Sequence, residues 1–260
     1  MRILLTNDDG VHARGIHILK KALDRIADVW LVAPMDEMSA TGHSLTIHKP
    51  LRLIELGKQI YGVNGSPADC VYLGRRHFFK RKASLDWVVS GINRGANLGQ
   101  DIYYSGTVSG AREASTEGIS GLAVSLAIDF AKKVHDLKAN YGAAASIAVR
   151  LLKKMKGITM PEHTILNLNV PDLPLARVKG VRLASQGFRY YDGDVLTRND
   201  HRGRKYYWIG GKYKGFRQED GTDCMAVDSH YASVTPIRLD ATDYGFLGNL
   251  EARWPTRKVR

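Results

Sequence analysis

The chain has 260 residues, 44% of them hydrophobic and 25% charged, the make-up of a globular protein with an ample core. No apolar run approaches the ~18 residues of a membrane helix, the start at Met1-Arg2-Ile3 has no signal-peptide pattern, and the two cysteines, Cys70 and Cys224, lie far apart without a CxxC pair, which excludes a disulfide framework and a cysteine zinc site and makes the cytoplasm the expected location. The formal charge of +12 raises the local concentration of anions, and by itself leaves open phosphate-bearing substrates, nucleic acid, polyphosphate, or merely a basic proteome.

The run Ile3-Leu4-Leu5 predicts a buried strand. It stops at Asn7-Asp8-Asp9-Gly10, a turn-forming cluster, and Ile16, Leu19, Leu23 and Ile26 then follow at helical spacing. Two adjacent carboxylates therefore sit at a strand tip before a helix, on the edge of a parallel sheet where ligands bind. Side by side they repel, and a hard divalent cation with oxygen ligands relieves that repulsion. Taken alone, the cluster is equally a plain turn. Asp28 to Pro34 predicts a second strand, completing a βαβ unit. The loop Met35 to His43 leaves the same edge and contains Ser39-Ala40-Thr41-Gly42-His43-Ser44.

Leu51 to Glu55 and Gln59 to Val63 predict a hairpin. Asn64-Gly65-Ser66-Pro67-Ala68-Asp69 opens a helix with Ser66 as N-cap and Pro67 in its first turn. The helix runs out in the basic stretch Arg75 to Lys82, read as a solvated end that complements the dipole, with polyanion steering as the alternative. Asp86 to Gly91 is the next strand, followed by the polar loop Ile92-Asn93-Arg94-Gly95-Ala96-Asn97-Leu98-Gly99. Ser105-Gly106-Thr107 then starts a helix, where free N–H groups and hydroxyls suit an anion as well as ordinary capping. The strand Leu122 to Ile128, the helix Gly142 to Met155 and the strand Ile165 to Val170 continue the alternation.

After about residue 178 the character changes. Val181 to Ala184, Lys205 to Ile209, Met225 to Val227 and Tyr231 to Ile237 are strand-like, and Tyr244 to Trp254 predicts a short helix before a basic end. Between Arg189 and Arg217, Tyr190, Tyr191, Tyr206, Tyr207, Trp208 and Tyr213 interleave with basic residues. Such a hairpin either packs on another subunit, the preferred reading, or stacks bases. The expected division is residues 1–177 as a Rossmann-like α/β domain with a mostly parallel sheet and helices on both faces, and residues 178–260 as a β-rich elaboration for oligomerisation.

Three loops thus gather carboxylates, hydroxyls, amide oxygens and a helix start on one sheet edge. With Leu5-Thr6-Asn7-Asp8-Asp9-Gly10, Ala33-Pro34, Ser39 to Ser44, Asn64 to Asp69, Val89 to Asn97, Tyr104 to Ala111 and Ser233-Val234-Thr235-Pro236, the sequence closely resembles the SurE (survival protein E) family of metal-dependent nucleotidases over nearly its whole length. The resemblance implies a 5′-nucleotidase that hydrolyses nucleoside 5′- and 3′-monophosphates, and sometimes short polyphosphate, using one divalent metal ion per subunit (Mg or Mn) and a metal-activated water. It implies Asp8, Asp9, Ser39 and Asn93 as metal ligands, and Asn97, Ser105, Gly106 and Thr107 as phosphate donors. It also implies a homodimer or homotetramer with exchanged C-terminal arms. Asp8 and Asp9 are the expected catalytic pair, either of which accepts the proton of the attacking water, and His43 is the nearest candidate acid for the leaving oxygen. An aspartyl-phosphate mechanism of the haloacid-dehalogenase type is disfavoured, because its aspartates are separated by one residue and these are adjacent. A membrane role is not expected, and a basic nucleic-acid-binding protein is the non-enzymatic alternative.

Overall fold

The computed structural model describes residues 1–80, 85–128 and 136–254; the end of the expected basic run (81 and 82) and the basic end at 255–260 lie outside the described residues. A nine-stranded sheet forms the body. Its strands are β1 (Arg2–Thr6), β2 (Asp28–Pro34), β3 (Leu53–Gly57), β4 (Ile60–Val63), β5 (Trp87–Arg94), β6 (Ser120–Ala127), β7 (Thr164–Pro171), β8 (Val181–Leu183) and, further along the chain, a strand at Ala232–Arg238. The outer hairpin is made by β9 (Arg189–Tyr191), β10 (Val195–Asn199), β11 (Lys205–Ile209) and β12 (Tyr213–Phe216), so the strand at Ala232–Arg238 is β13. The sheet order is β3-β4-β2-β1-β5-β6-β7-β13-β8, with β4, β2, β1, β5, β6 and β7 mutually parallel.

The helices are α1 (Arg14–Leu23), α2 (Pro67–Phe78), α3 (Gly106–Thr116), α4 (Tyr141–Lys154), α5 (Asp223–Asp228) and α6 (Tyr244–Arg253). Because β1 is central and covered on both faces, the run Ile3-Leu4-Leu5 at its middle is continuously apolar rather than alternating. Ile3 and Leu5 join Ile16, Leu19, Leu23, Ala144 and Ala148 of α1 and α4 on one face. Leu4 joins Val71 of α2 and Ala114 of α3 on the other. This is the expected α/β architecture, with additional strands contributed from beyond residue 178; β8 and β13 belong to the main sheet, while β10–β11 and β9–β12 form separate two-stranded ladders.

Two expectations change. Met225 to Val227 lies in α5 rather than in a strand, because Thr222 caps the segment by accepting from the Met225 N–H at 3.4 Å and so favours a helical start. β5 runs on to Arg94 instead of ending at Gly91; after a register shift between Gly91 and Asn93, Asn93 pairs with Ser125 and Arg94 with Leu126 of β6.

Candidate active site at the carboxyl edge of the sheet

The turn after β1 is fixed from within. Asn7 is fully buried, its Nδ2 donates to the Gly10 carbonyl at 2.9 Å, and Gly10 takes φ +98°, a conformation suited to glycine. The Val11 N–H donates to the carbonyl of Pro34 at the end of β2 at 2.7 Å, and the Met38 N–H donates to the Asp8 carbonyl at 2.7 Å. The loop carrying Ser39 is thereby drawn across Asp8.

Asp8 points to the N-terminus of α3. The Thr107 hydroxyl donates to Asp8 Oδ1, and the Thr107 N–H also supports the carboxylate. Gly106 is required there, since a Cβ on it would lie 2.7 Å from the Cβ of Asp8. Asp9 Oδ2 accepts from the Arg94 N–H at the end of β5 at 3.1 Å. Burial raises the pKa of Asp8 above its ordinary value of 3.8, against the hydrogen bonds from Thr107. Burial, and next the charge of Asp8, push Asp9 up to about 7. Glu37 acts on both in the same sense. Two carboxylates whose ionisation is penalised in this way favour a bound cation.

Ser39 is exposed on that loop and donates to Glu37 Oε1 at 2.7 Å, which leaves its oxygen lone pairs open. Asn93 donates through Nδ2 to the Gly95 carbonyl at 2.9 Å, and among the described residues nothing donates to its Oδ1. Among the described residues no three His, Cys, Asp or Glu side chains converge as a metal set. A cation at Asp8 and Asp9 would accordingly complete its shell with neutral oxygens, a mixture that hard divalent ions accept. Asn7 Oδ1, buried and without a partner among the described residues, is a further unsatisfied oxygen in this turn. The residues present fit such an ion.

Of the expected phosphate donors, Gly106 and Thr107 meet Asp8 directly. Ser105 caps α3 by accepting from the Val108 N–H at 3.0 Å. Asn97 is held in a polar cradle: its N–H donates to Asn169 Oδ1 at 2.8 Å, its Nδ2 to Ser125 Oγ at 2.9 Å, and its carbonyl accepts from Asn167 and Asn169 at 2.8 and 3.0 Å. His43 is turned to α3, with Nε2 2.8 Å from Oε2 of the buried Glu113. The sequence reading did not single out Glu37, Glu113, Ser125, Asn167 or Asn169. Only the last two left a signal, a pair of asparagines alternating with apolar residues in a strand that is otherwise core.

Fold and site together define a Rossmann-like α/β protein with an acidic pair at the carboxyl edge of its sheet, facing a helix N-terminus. Comparison with known proteins narrows the class. The family model for survival protein SurE matches residues 3–193. A 5′-nucleotidase SurE of Geobacter sulfurreducens is 50% identical over 252 residues, 97% of this chain and 93% of its own length. One of Geotalea daltonii is 46% identical over 254 residues, 98% of this chain and 99% of its own. The crystal structure of the SurE protein from Aquifex aeolicus superposes with a TM-score of 0.83 at 39% identity, covering 97% of this chain and 99% of that one. This chain belongs to the SurE family.

Proposed function

We propose that this chain is a 5′-nucleotidase, a phosphomonoesterase that hydrolyses nucleoside 5′-monophosphates, and 3′-monophosphates, to nucleoside and phosphate, with short polyphosphate as a further substrate. The names of the Geobacter and Geotalea relatives support the activity. The observation that carries it to this chain is the contact between Asp8 and the first turn of α3, which puts a cation-seeking carboxylate and an anion-seeking helix start on the same few atoms.

In this reading Asp8, Asp9, Ser39 and Asn93 hold one divalent ion per chain, Mg or Mn. Bound there, the ion supplies neutralisation of phosphoryl charge and acidification of water. Gly106 offers its N–H and Thr107 its hydroxyl to the phosphate, Ser105 fixes the turn that presents them, and Asn97 donates from its cradle. The hydroxyl of Thr107 donates to Asp8 in this structure, and the same hydroxyl would serve a phosphate oxygen. A carboxylate oxygen of Asp8 or Asp9 accepts the proton of the attacking water. The free, buried thiols of Cys70 and Cys224 suit a cytoplasmic enzyme. We assign the strands and terminal helix beyond residue 178 to assembly of a homodimer or homotetramer with exchanged arms.

Phosphate release from a nucleoside monophosphate panel, after chelation and back-titration with Mg²⁺ or Mn²⁺, tests the reading. Release returns only with metal, and Asp8→Asn and Asp9→Asn each lower it by roughly a hundredfold or more while keeping the fold. Turnover that persists in the chelator, or wild-type rates in both variants, rejects it.

A further inference from the structure

A pocket of about 400 Å³ lies beside α3 and contains none of the candidate site residues. It opens between the turn Gly99–Tyr103, Arg112 of α3, and the end of β13 with the segment that follows it. Along β13 the side chains alternate: Val234 enters the core with α1 and α4, whereas Ile237 packs with Val108 and Ala111 of α3. Thr235, on the α3 side, is 2% exposed and lines the pocket. Its Oγ1 has no hydrogen-bond partner among the described residues, and the same holds for Ser233 Oγ next along that face and for Oδ1 of Asn167, the ladder partner of Thr235. Buried polar groups normally find partners, and of these three Thr235 belongs to the pocket lining, where its hydroxyl is left for a ligand.

The mouth has the complementary charge. Among the described residues the Nε of Arg112 is buried without a partner, and no ion pair or side-chain hydrogen bond engages its guanidinium. Arg238 adds a second positive charge. The acid of the lining, Asp240, accepts from the Thr242 N–H at 3.0 Å and from the Tyr244 hydroxyl and stays charged beside Arg238, so the net positive charge of the mouth rests on Arg112. Ile102, Tyr103 and Leu239 give the pocket an apolar side. Guanidinium and hydroxyl donors together match the several oxygens of a phosphate group, and the volume suits a mononucleotide.

We propose that this pocket is a second ligand site, which binds a small phosphorylated molecule of nucleoside monophosphate size. The phosphate lies between Arg112 and Thr235, and the nucleoside lies against Ile102 and Tyr103.

Calorimetric titration of the full, metal-free chain with AMP, and separately with inorganic phosphate, tests this on the wild type, Arg112→Gln, Arg238→Gln and Thr235→Val, each checked for folding by its melting curve. The wild type takes up one more equivalent of AMP per chain than Arg112→Gln does. Arg238→Gln and Thr235→Val weaken that equivalent roughly ten- to a hundredfold, and they keep the proposal testable if Arg112→Gln does not fold. Uptake of inorganic phosphate at the same equivalent shows that the site reads the phosphate group, and uptake of AMP alone shows that it reads the whole nucleotide. Identical isotherms for the wild type and the folded variants overturn the proposal, as does a second copy of the chain found filling the pocket. Failure to release phosphate from AMP would instead defeat the nucleotidase reading, and would leave the difference between wild type and Arg112→Gln standing.

Discussion

At Asp9 a carboxylic acid sits beside Asp8 in a buried turn, and its pKa is pushed from 3.8 up to about 7. The folded, metal-free chain therefore holds a proton that the unfolded chain releases near pH 4. That contribution to stability is fully present below about pH 4 and is lost as pH rises through about 7. The Tm of the metal-free wild type, measured against that of Asp9→Asn, is expected to fall between pH 4 and 7.5, since the amide removes the titrating group. Added Mn²⁺ or Mg²⁺ should raise the wild-type Tm more at pH 8 than at pH 5, because the ion competes with the proton. A metal-induced shift independent of pH would detach Asp9 from the cation.

The loop from Met35 to Thr46 is an element without regular structure of its own, and several attachments hold it besides that of Met38 to Asp8. The Gly42 N–H donates to the Tyr104 carbonyl at 3.1 Å, the Thr46 N–H donates to Asp69 at 2.7 Å, and His43 meets the buried Glu113. Of these, Glu113 is the anchor that ties the loop to the same helix as Thr107. Glu113→Gln is expected to speed amide exchange at residues 38–44 while the strands keep their protection, and to lower phosphate release roughly tenfold, the scale of one charge-assisted hydrogen bond. Unchanged exchange would assign the loop's order to its other attachments. The seat of α3 on β6 is equally tight: a Cβ at Gly121 would lie 2.3 Å from the Ala111 carbonyl oxygen. Gly121→Ala should cost about 1–3 kcal/mol by chemical denaturation, and should lower activity as well, because the helix that moves carries Gly106 and Thr107.

On the scale of the whole molecule, the β10–β11 ladder and α6 expose apolar side chains of the kind the body buries. Trp208 is 62% and Ile209 93% exposed on β11, and α6 buries none of its residues. Apolar surface of this kind marks a contact with another molecule. Under the assembly proposed above, replacing residues 195–209 by a short turn should reduce the particle mass in sedimentation, with far-UV circular dichroism retained. An unchanged mass would move the interface elsewhere.

The βαβ start, the acidic pair at the tip of β1 and the cap at Ser105 were legible in the sequence because each is local: an apolar run, a turn cluster and a helix start speak through neighbouring residues. The anchoring of His43 by Glu113, the cradle that Asn167 and Asn169 form around Asn97, and the influence of Glu37 on both aspartates were not legible, since each joins residues far apart in the chain or facing one another across a loop. The short apolar run at Met225 was misread as a strand for a related reason: three residues carry no period, and the cap at Thr222 decided for the helix. Sequence alone thus determined which chemical groups this protein brings to the carboxyl edge of its sheet. Only the tertiary structure decided which of them touch, because burial and hydrogen-bond partners are properties of the packed chain.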